Sequence, residues 1–285
     1  MDQVVELPYG ARTLELRLPE ANLAGVFTPQ PVEPCADLPS AVRRALEQPL
    51  DGPPLGELAR PGESVVILLE DHTRPTPTAD LLPHVLEALG RAGVRDADIT
   101  LMLTHGTHRL STEQEVERIV GAEPYRRLRI VQHRCDEPEN QFYSGLTSRG
   151  TPVWVNRLVV EADRRIGIGY IGPSPYAGYS GGWKLIVPGV AALDTINANH
   201  SLVPLGFHPA RLCGSADPAG HRGSGGHGRD GPGVGRRALP GRTGGPGLRR
   251  HAGHGLPCRA GAVAAGVRGP VPGRVGHRHR RGLSL

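Results

Sequence analysis

Four short stretches of the sequence place reactive side chains among small residues. They read DHTRP (71–75), THGTHR (104–109), AGYSGGWKLIVPG (177–189) and NANHS (197–201). Together they supply a carboxylate, a guanidinium, several imidazoles and one amine. Groups of these types bind anions and metal ions and move protons between atoms. These stretches are therefore the candidates for a chemically active site.

The stretch around Lys184 has the composition of a phosphate-binding loop but not its spacing. A Walker A loop requires a lysine directly after a glycine, whereas here Trp183 separates Gly182 from Lys184. The run LIV after the lysine also favours a strand over the helix that such a loop opens. The turn still offers backbone N–H groups and the Ser180 hydroxyl to an anion. Lys184 is then either a counter-charge for phosphate or a nucleophile, and an ordinary surface lysine is the alternative.

Asp71 and Arg74 stand three residues apart at the end of an apolar run. An arginine can hold a carboxylate or a phosphate through two parallel hydrogen bonds, and Asp71 would orient it. A surface ion pair within a loop explains the same pattern equally well.

Three histidines are candidates for proton transfer or metal binding. His105 and His108 follow another apolar run, and an imidazole there suits a general base because histidine titrates near neutral pH. The H-x-x-H spacing also allows a metal site, but no third ligand stands at a persuasive spacing. His200 follows a predicted helix, and an isolated histidine of this kind is more often structural.

The string GIGYIG (167–172) matches the letters of the dinucleotide-binding fingerprint G-x-G-x-x-G. That fingerprint must open a helix, and Pro173 and Pro175 disfavour a helix at this point. We interpret the string as a strand whose glycines lie where another part of the chain packs closely.

The elements that must position these residues follow from the hydrophobic pattern. Apolar runs predict strands, and 3.6-residue periodicity with capping signals predicts helices over 78–93 and 111–121. The predicted strands cover 64–71, 98–106, 127–133, 152–160 and 164–172. This alternation predicts an α/β fold, Rossmann-like, with a mostly parallel sheet and flanking helices. Ligands bind at the carboxyl ends of strands in such folds, where three of the four stretches stand.

The last part of the chain differs in kind from residues 1–205. Residues 206–285 contain 22 of the 40 glycines, 14 arginines and only two acidic residues. Such a segment buries too little apolar surface to offset its chain entropy, so we expect it to be disordered or non-native. Its amino-acid composition, dominated by Gly, Arg, Pro, Ala and His, is the one that GC-rich codons give when they are read in the wrong frame. We interpret it as a frameshift near residue 205 that replaced a C-terminal domain, and a natural low-complexity tail is the alternative.

Charge and composition exclude several classes of protein. Residues 1–205 carry a net charge of −7, and residues 206–285 carry +12, so the basic total is no argument for nucleic-acid binding. No stretch is long and apolar enough to span a membrane, and the N-terminus lacks the pattern of a signal peptide. The four cysteines form no disulfide or zinc pattern. We therefore expect a cytoplasmic protein with no membrane or nucleic-acid partner.

Taken in order, the four stretches resemble the lactate racemase family, enzymes that use a nickel-pincer nucleotide. The resemblance runs from about Tyr9 to about Leu205, and it is specific because four spaced motifs occur in sequence. It implies a cofactor of pyridinium-3,5-bisthiocarboxylic acid mononucleotide with nickel, made by dedicated cofactor-synthesis proteins. It also implies that a hydride leaves the α-carbon of a 2-hydroxy acid and returns on either face.

The resemblance assigns roles to individual residues. It implies that Lys184 forms a covalent thioamide with the cofactor and that His200 completes the square plane of the nickel, which soft sulfur ligands suit. It places Ser180, Gly181 and Gly182 in the cofactor-binding turn. His108 matches a base that removes the hydroxyl proton, and Arg74 with Asp71 matches a pair near the substrate.

Two departures from the family pattern matter for the reaction. Lactate racemases carry a second base histidine just before the glycine turn, where this sequence has Ser174, which cannot accept a proton as imidazole does. This points away from lactate to another 2-hydroxy acid, with His105 or water serving the second face. The C-terminal domain of the family is also replaced. The sequence therefore predicts a racemase or epimerase, with an inactive remnant that at most binds a nucleotide as the alternative.

Overall fold

The computed structural model describes residues 2–9, 12–27, 33–174, 177–202 and 262–264. The predictions of a disordered or non-native tail and of a frameshift concern residues outside this part of the chain, apart from a short strand at Ala262–Ala264. The chain divides into two compact units, Met1–Pro34 and Cys35–Leu285.

The first unit is an antiparallel hairpin. Strand β1 (Asp2–Tyr9) pairs with β2 (Arg12–Pro19) along its whole length, and a 3-10 turn follows at Glu20–Asn22. Strand β2 alternates apolar and polar residues from Leu14 to Leu18, which is the period of a strand with one apolar face.

The second unit is built on a parallel sheet. Its strands are β3 (Val65–Glu70), β4 (Ile99–Thr104), β5 (Arg129–Gln132) and β8 (Arg164–Gly169), in the spatial order β8-β3-β4-β5. All pairs among these four strands are parallel, and β11 (Ala262–Ala264) joins β8 antiparallel. Every residue of β3 is buried, as expected of a strand covered on both faces. The predicted α/β class is confirmed.

Seven helices accompany the strands in the described part of the second unit. They are α1 (Leu38–Glu47), α2 (Leu55–Leu58), α3 (Thr78–Arg91), α4 (Glu113–Val120), α5 (Ala122–Arg127), α6 (Arg157–Glu161) and α7 (Leu193–His200). Alternate residues of β3 face two different cores. Ile67 and Leu69 belong to a core shared with α3, whereas Val66 and Leu68 pack with residues of α6 and of the segment Pro152–Asn156.

The prediction of one strand over 152–160 was wrong in its second half. Strand β7 (Pro152–Asn156) pairs antiparallel with β6 (Gln141–Leu146), and the chain then turns into α6. Asn156 ends the strand because its side-chain oxygen accepts a hydrogen bond from Leu158 N at 3.0 Å and so caps the helix. The apolar residues that follow suit a short buried helix as well as a strand, so pattern alone did not separate the two.

The run after Lys184 is also not a strand. Residues Gly182–Leu185 form a 3-10 turn, and Gly189 N donates to Lys184 O at 3.0 Å, which folds the run back on itself. Upstream, the two-residue strands β9 (Pro173–Ser174) and β10 (Gly178–Tyr179) pair antiparallel.

Within the described residues, no helix combines the length and the apolar character that a membrane crossing requires.

Candidate functional site

A cavity of about 230 Å³ opens at the carboxyl edge of the parallel sheet. The ends of β3 and β4, the turn after Tyr179 and the end of α7 form its walls. Predicted site residues that line it are Asp71, Arg74, His108, Ser180, Gly181, Lys184 and His200. Because parallel strands end at one edge, motifs up to 129 residues apart in sequence meet in one place. Two predicted residues, Ser174 and Gly182, are not among the lining residues.

Asp71 holds His108 through a short hydrogen bond. His108 Nδ1 lies 2.6 Å from Asp71 Oδ2, and Asp71 is buried whereas His108 is partly exposed to the cavity. A carboxylate can only accept hydrogen bonds, so Nδ1 carries the hydrogen and the lone pair of His108 lies on Nε2. This arrangement leaves Nε2 as the basic atom of the ring.

The charge of Asp71 is stabilised by its neighbours. Burial raises the pKa of Asp71, but polar contacts with His105, Thr73 and His108 outweigh burial and hold that pKa well below its usual range. The carboxylate therefore stays ionised at neutral pH.

Asp71 does not contact Arg74 in the way the sequence suggested. In the described structure the two are linked through Thr73, whose hydroxyl donates to Asp71 Oδ1 at 2.6 Å and accepts from the Arg74 guanidinium at 2.8 Å. Arg74 remains exposed at the cavity, where it can meet an anion. Thr73 was missed, although a hydroxyl residue between an aspartate and an arginine at a strand end was a usable signal.

Lys184 reaches toward Ser174 across the turn. Its Nζ donates to Ser174 Oγ at 3.2 Å, and Ala177 N donates to the same oxygen at 3.4 Å. Ser174 is buried. The hydroxyl therefore supports the amine and is not presented to the cavity as a proton acceptor would be.

The glycine turn is held by its own backbone. Ser180 N and Oγ both donate to Gly172 O, at 2.8 and 3.1 Å. Gly181 has φ +73°, and a Cβ added there would lie 2.8 Å from Tyr170 O, so a glycine is required. The Ser180 donors thus build the turn, and their use by a cofactor stays a prediction.

His200 ends helix α7 with one ring nitrogen fixed. His200 Nδ1 lies 2.8 Å from Ile196 O, which can only accept, so Nδ1 carries the hydrogen. The lone pair on Nε2 is then available, and this is the usual arrangement of a metal-binding histidine, whose other nitrogen donates to a carbonyl.

Glu70 is a cavity residue that the sequence analysis missed. Its Oε2 accepts hydrogen bonds from Tyr170 N at 2.7 Å and from the Thr76 hydroxyl. Burial raises the pKa of Glu70, and these two hydrogen bonds offset only part of that effect. Glu70 also approaches Gly169, so a glycine in β8 lies where another segment packs closely, as the string GIGYIG suggested.

His105 is one of the residues that line the cavity, at the end of β4. Its side chain is 0% exposed, and its Nε2 lies 2.9 Å from Gln132 Oε1. A ring enclosed in this way does not present a nitrogen to a substrate. The structure therefore gives no support to His105 as the second base, and that role stays a prediction.

An α/β sheet with a polar cavity outside its strand ends belongs to the class of folds that bind small ligands at that edge. Comparison with known proteins identifies the particular family. Residues 9–208 match the lactate racemase N-terminal domain, and the chain belongs to that family.

Two curated lactate racemases are similar to the chain. The enzyme from Thermoanaerobacterium thermosaccharolyticum is 33% identical over 198 residues, which is 69% of this chain and 46% of the relative. The enzyme from Lactiplantibacillus plantarum is 34% identical over 199 residues, or 69% and 47%. The chain therefore spans about half the length of the curated relatives it matches.

Solved structures agree with this assignment. The lactate racemase apoprotein from Thermoanaerobacterium thermosaccharolyticum matches with a TM-score of 0.61 and 31% identity, over 78% of this chain and 52% of that one. A protein from Thermotoga maritima matches with a TM-score of 0.53 and 21% identity, over 65% and 46%, which shows a shared fold alone.

Proposed function

We propose that this chain carries the cofactor-binding half of a racemase or epimerase for a 2-hydroxy acid. The cofactor is a nickel-pincer nucleotide attached to Lys184. One observation carries the proposal: Lys184, His200 and the Asp71–His108 pair, taken from four distant motifs, face a single cavity. Cofactor-synthesis proteins are the expected partners, and the cytoplasm is the expected location.

The residues fit this cofactor. His200 has a lone pair on Nε2 and donates through Nδ1, which suits a ligand of nickel. Lys184 is the only lysine of the chain, so the single amine side chain lies at the cavity. The glycine turn beside it lets backbone approach a ligand closely.

Each cavity residue has a defined task in this proposal. The bound cofactor would supply a hydride acceptor. His108 Nε2 takes the hydroxyl proton of the substrate, and Asp71 stabilises the resulting positive ring. Arg74 binds the carboxylate of the 2-hydroxy acid.

Ser174 limits the choice of substrate. Its buried hydroxyl accepts from Lys184 and holds no basic nitrogen, so no second imidazole stands at this position. A symmetric two-base reaction on lactate is therefore not the activity we propose, and another 2-hydroxy acid is.

A second candidate is a chain that binds the nucleotide without turnover. The match covers 46% and 47% of the two curated relatives, so groups supplied by the rest of those enzymes have no counterpart in the matched region. Cofactor attachment and racemisation are consequently separate questions, and each needs its own measurement.

Attachment is tested by co-expressing the chain with cofactor-synthesis proteins and recording its intact mass. We expect a cofactor adduct that is absent from Lys184→Arg, a variant that keeps the positive charge. Acetylation of amines sharpens the test, because only the N-terminus and Lys184 can react. The loaded protein should take one acetyl group and the unloaded protein two.

Nickel analysis separates the role of His200 from that of Lys184. In His200→Ala the adduct should persist while the bound nickel is lost. An intact protein with no adduct in the presence of active synthesis proteins would rule out both candidates. An adduct without racemisation of any 2-hydroxy acid would favour the second.

A further inference from the structure

The ring of His105 contains a buried polar atom that the proposed reaction does not use. Its Nδ1 has no hydrogen-bond partner in the described structure, and it lies 3.5 Å from Asp71 Oδ2. A buried polar atom without a partner costs roughly 1–3 kcal/mol, so such an atom calls for an explanation.

Two other donors surround this nitrogen. Donor atoms of Asp71, His72 and His105 all lie within 4.8 Å of one another, and Asp71 and His105 are buried. The H-x-x-H spacing of His105 and His108 lacked a third ligand in the sequence. The fold instead brings Asp71 and His72 to His105 from the end of the neighbouring strand.

We propose that Asp71, His72 and His105 form a site for a divalent transition-metal ion of the zinc class, separate from His200. One carboxylate and two imidazoles are a donor set that zinc accepts, and water would complete the coordination. The ion would also satisfy the orphaned nitrogen of His105.

The surroundings of both histidines support metal binding. Gln132 Oε1 accepts from Ser111 N at 2.8 Å, so the amide is oriented and His105 Nε2 is the nitrogen that carries the hydrogen. An ion at Nδ1 would therefore leave the contact with Gln132 in place. His72 Nδ1 is 3.0 Å from Ser111 Oγ, so a metal at the other nitrogen would leave this contact in place. Hydrogen bonds of this kind orient ligating histidines in metal sites.

The distances between the donor atoms fit a bound metal ion if the His72 side chain moves toward it. Ligands at about 2.0–2.1 Å in a tetrahedron stand about 3.3 Å apart, close to the 3.5 Å between His105 Nδ1 and Asp71 Oδ2. His72 is half-buried, which leaves it room to approach.

Occupation of this site would weaken the base, a consequence that rests on the proposed function. Asp71 Oδ2 lies 2.6 Å from His108 Nδ1 and would also bind the ion, so the ion competes with His108 for the oxygen that orients its ring. Zinc is then an inhibitor of the reaction, and its removal by a chelator restores the rate.

The test is a titration of the cofactor-free full chain with Co²⁺, followed by competition with Zn²⁺. The visible absorption of cobalt reports a tetrahedral site with nitrogen and oxygen ligands. We expect His105→Gln and His72→Gln each to weaken binding more than about 100-fold, since loss of an outer-shell partner alone costs about 10–100-fold. His84→Gln, a half-buried histidine on α3, is the matched control and should bind as the wild type does.

The chain has 13 histidines, so cobalt can also bind at other places. The variants are therefore compared by the single molar equivalent of Co²⁺ that binds tightly, and not by the total cobalt bound. His200→Ala should still bind that equivalent of Co²⁺, because His200 is the nickel ligand of the proposed function and not part of this second site. Circular dichroism checks that each variant is folded. If His105→Gln does not fold, His72→Gln still tests the proposal. A wild-type chain with no such absorption, or tight binding unchanged in a folded variant, overturns the proposal whether or not Lys184 carries a cofactor.

Discussion

The residue that decides the chemistry of the cavity is Asp71. Its carboxylate selects the tautomer of His108 and so places the basic nitrogen on Nε2. In Asp71→Asn the amide can donate to Nδ1, which moves the ring hydrogen to Nε2 and removes the basic atom. We expect the ¹⁵N shifts of His108 to report this switch, and racemisation by the cofactor-loaded protein to fall about 10⁴-fold, as when the aspartate of a Ser-His-Asp triad becomes asparagine.

Asp98→Asn is the matched control for this prediction. Asp98 pairs with Arg95 on the surface, away from the lining residues of the cavity. Its substitution should change neither the His108 shifts nor the rate. Unchanged His108 shifts in Asp71→Asn would contradict the proposed tautomer.

His133 has a structural role that pH can reveal. It is buried, its Nε2 donates to Ala191 O at 2.9 Å, and Asn156 donates to its Nδ1 at 3.2 Å. Burial lowers the pKa of His133 to about 4. Because the folded pKa lies below the unfolded value of about 6.5, the free energy of unfolding should drop as pH falls from 6.5 to 4, by about 3 kcal/mol.

Urea denaturation of the wild type and of His133→Gln across this pH range checks the prediction. The variant should be less stable at neutral pH because it lacks the imidazole hydrogen bonds, but its stability should depend less on pH. Parallel pH profiles for the two proteins would show that His133 is not the group responsible.

At the scale of elements, the glycine turn fixes the position of Lys184. Lys184 N donates to Gly181 O at 3.1 Å, and Gly181 itself packs against Tyr170 O. Gly181→Ala would add both a positive-φ strain and a clash, and we expect it to lower the free energy of unfolding by about 2–3 kcal/mol. Thermal or urea denaturation measures this loss.

Gly182→Ala provides the comparison within the same turn. Gly182 also has a positive φ, +54°, but an added Cβ meets nothing within 4 Å. Its cost should be the conformational part alone, about 1–2 kcal/mol. Equal losses in the two variants would mean that the contact with Tyr170 O does not constrain the turn.

The elements themselves were predictable to different degrees. The strands beginning near residues 64, 98 and 164 were confirmed because continuous apolar runs are typical of strands buried on both faces. Helix α4 was confirmed with its capping box, formed by Thr112 and Glu115. Helix α6 and the 3-10 turn after Gly181 were not predicted, because a side-chain cap and positive φ angles decide them.

At the scale of the whole molecule, the two edges of the sheet serve different purposes. The carboxyl edge bears the cavity, whereas at the amino edge Arg164 makes a two-pronged salt bridge with Glu63 that includes a 2.6 Å contact from Nε to Oε2. Arg164 is buried. Its replacement leaves the Glu63 carboxylate without its partner at a site only a quarter exposed.

Arg164→Ala should therefore lower the free energy of unfolding by about 2–3 kcal/mol while leaving cobalt binding and Lys184 acetylation unchanged. Arg95→Ala removes a surface pair with Asp98 and should cost less than about 1 kcal/mol. Urea denaturation compares the two variants. A change in cobalt binding by folded Arg164→Ala would show that the two edges are not independent.

The sequence by itself determined the α/β class and the family and proposed the candidate site residues, because apolar runs and motif letters depend on local order. It left open how Asp71 is used and how deeply His105 is buried. Only the tertiary structure showed that Asp71 binds His108, that Ser174 supports Lys184 and that His105 is enclosed beside Gln132. These outcomes depend on contacts between residues 10 to 37 positions apart, and those contacts exist only once the strands have aligned at one edge.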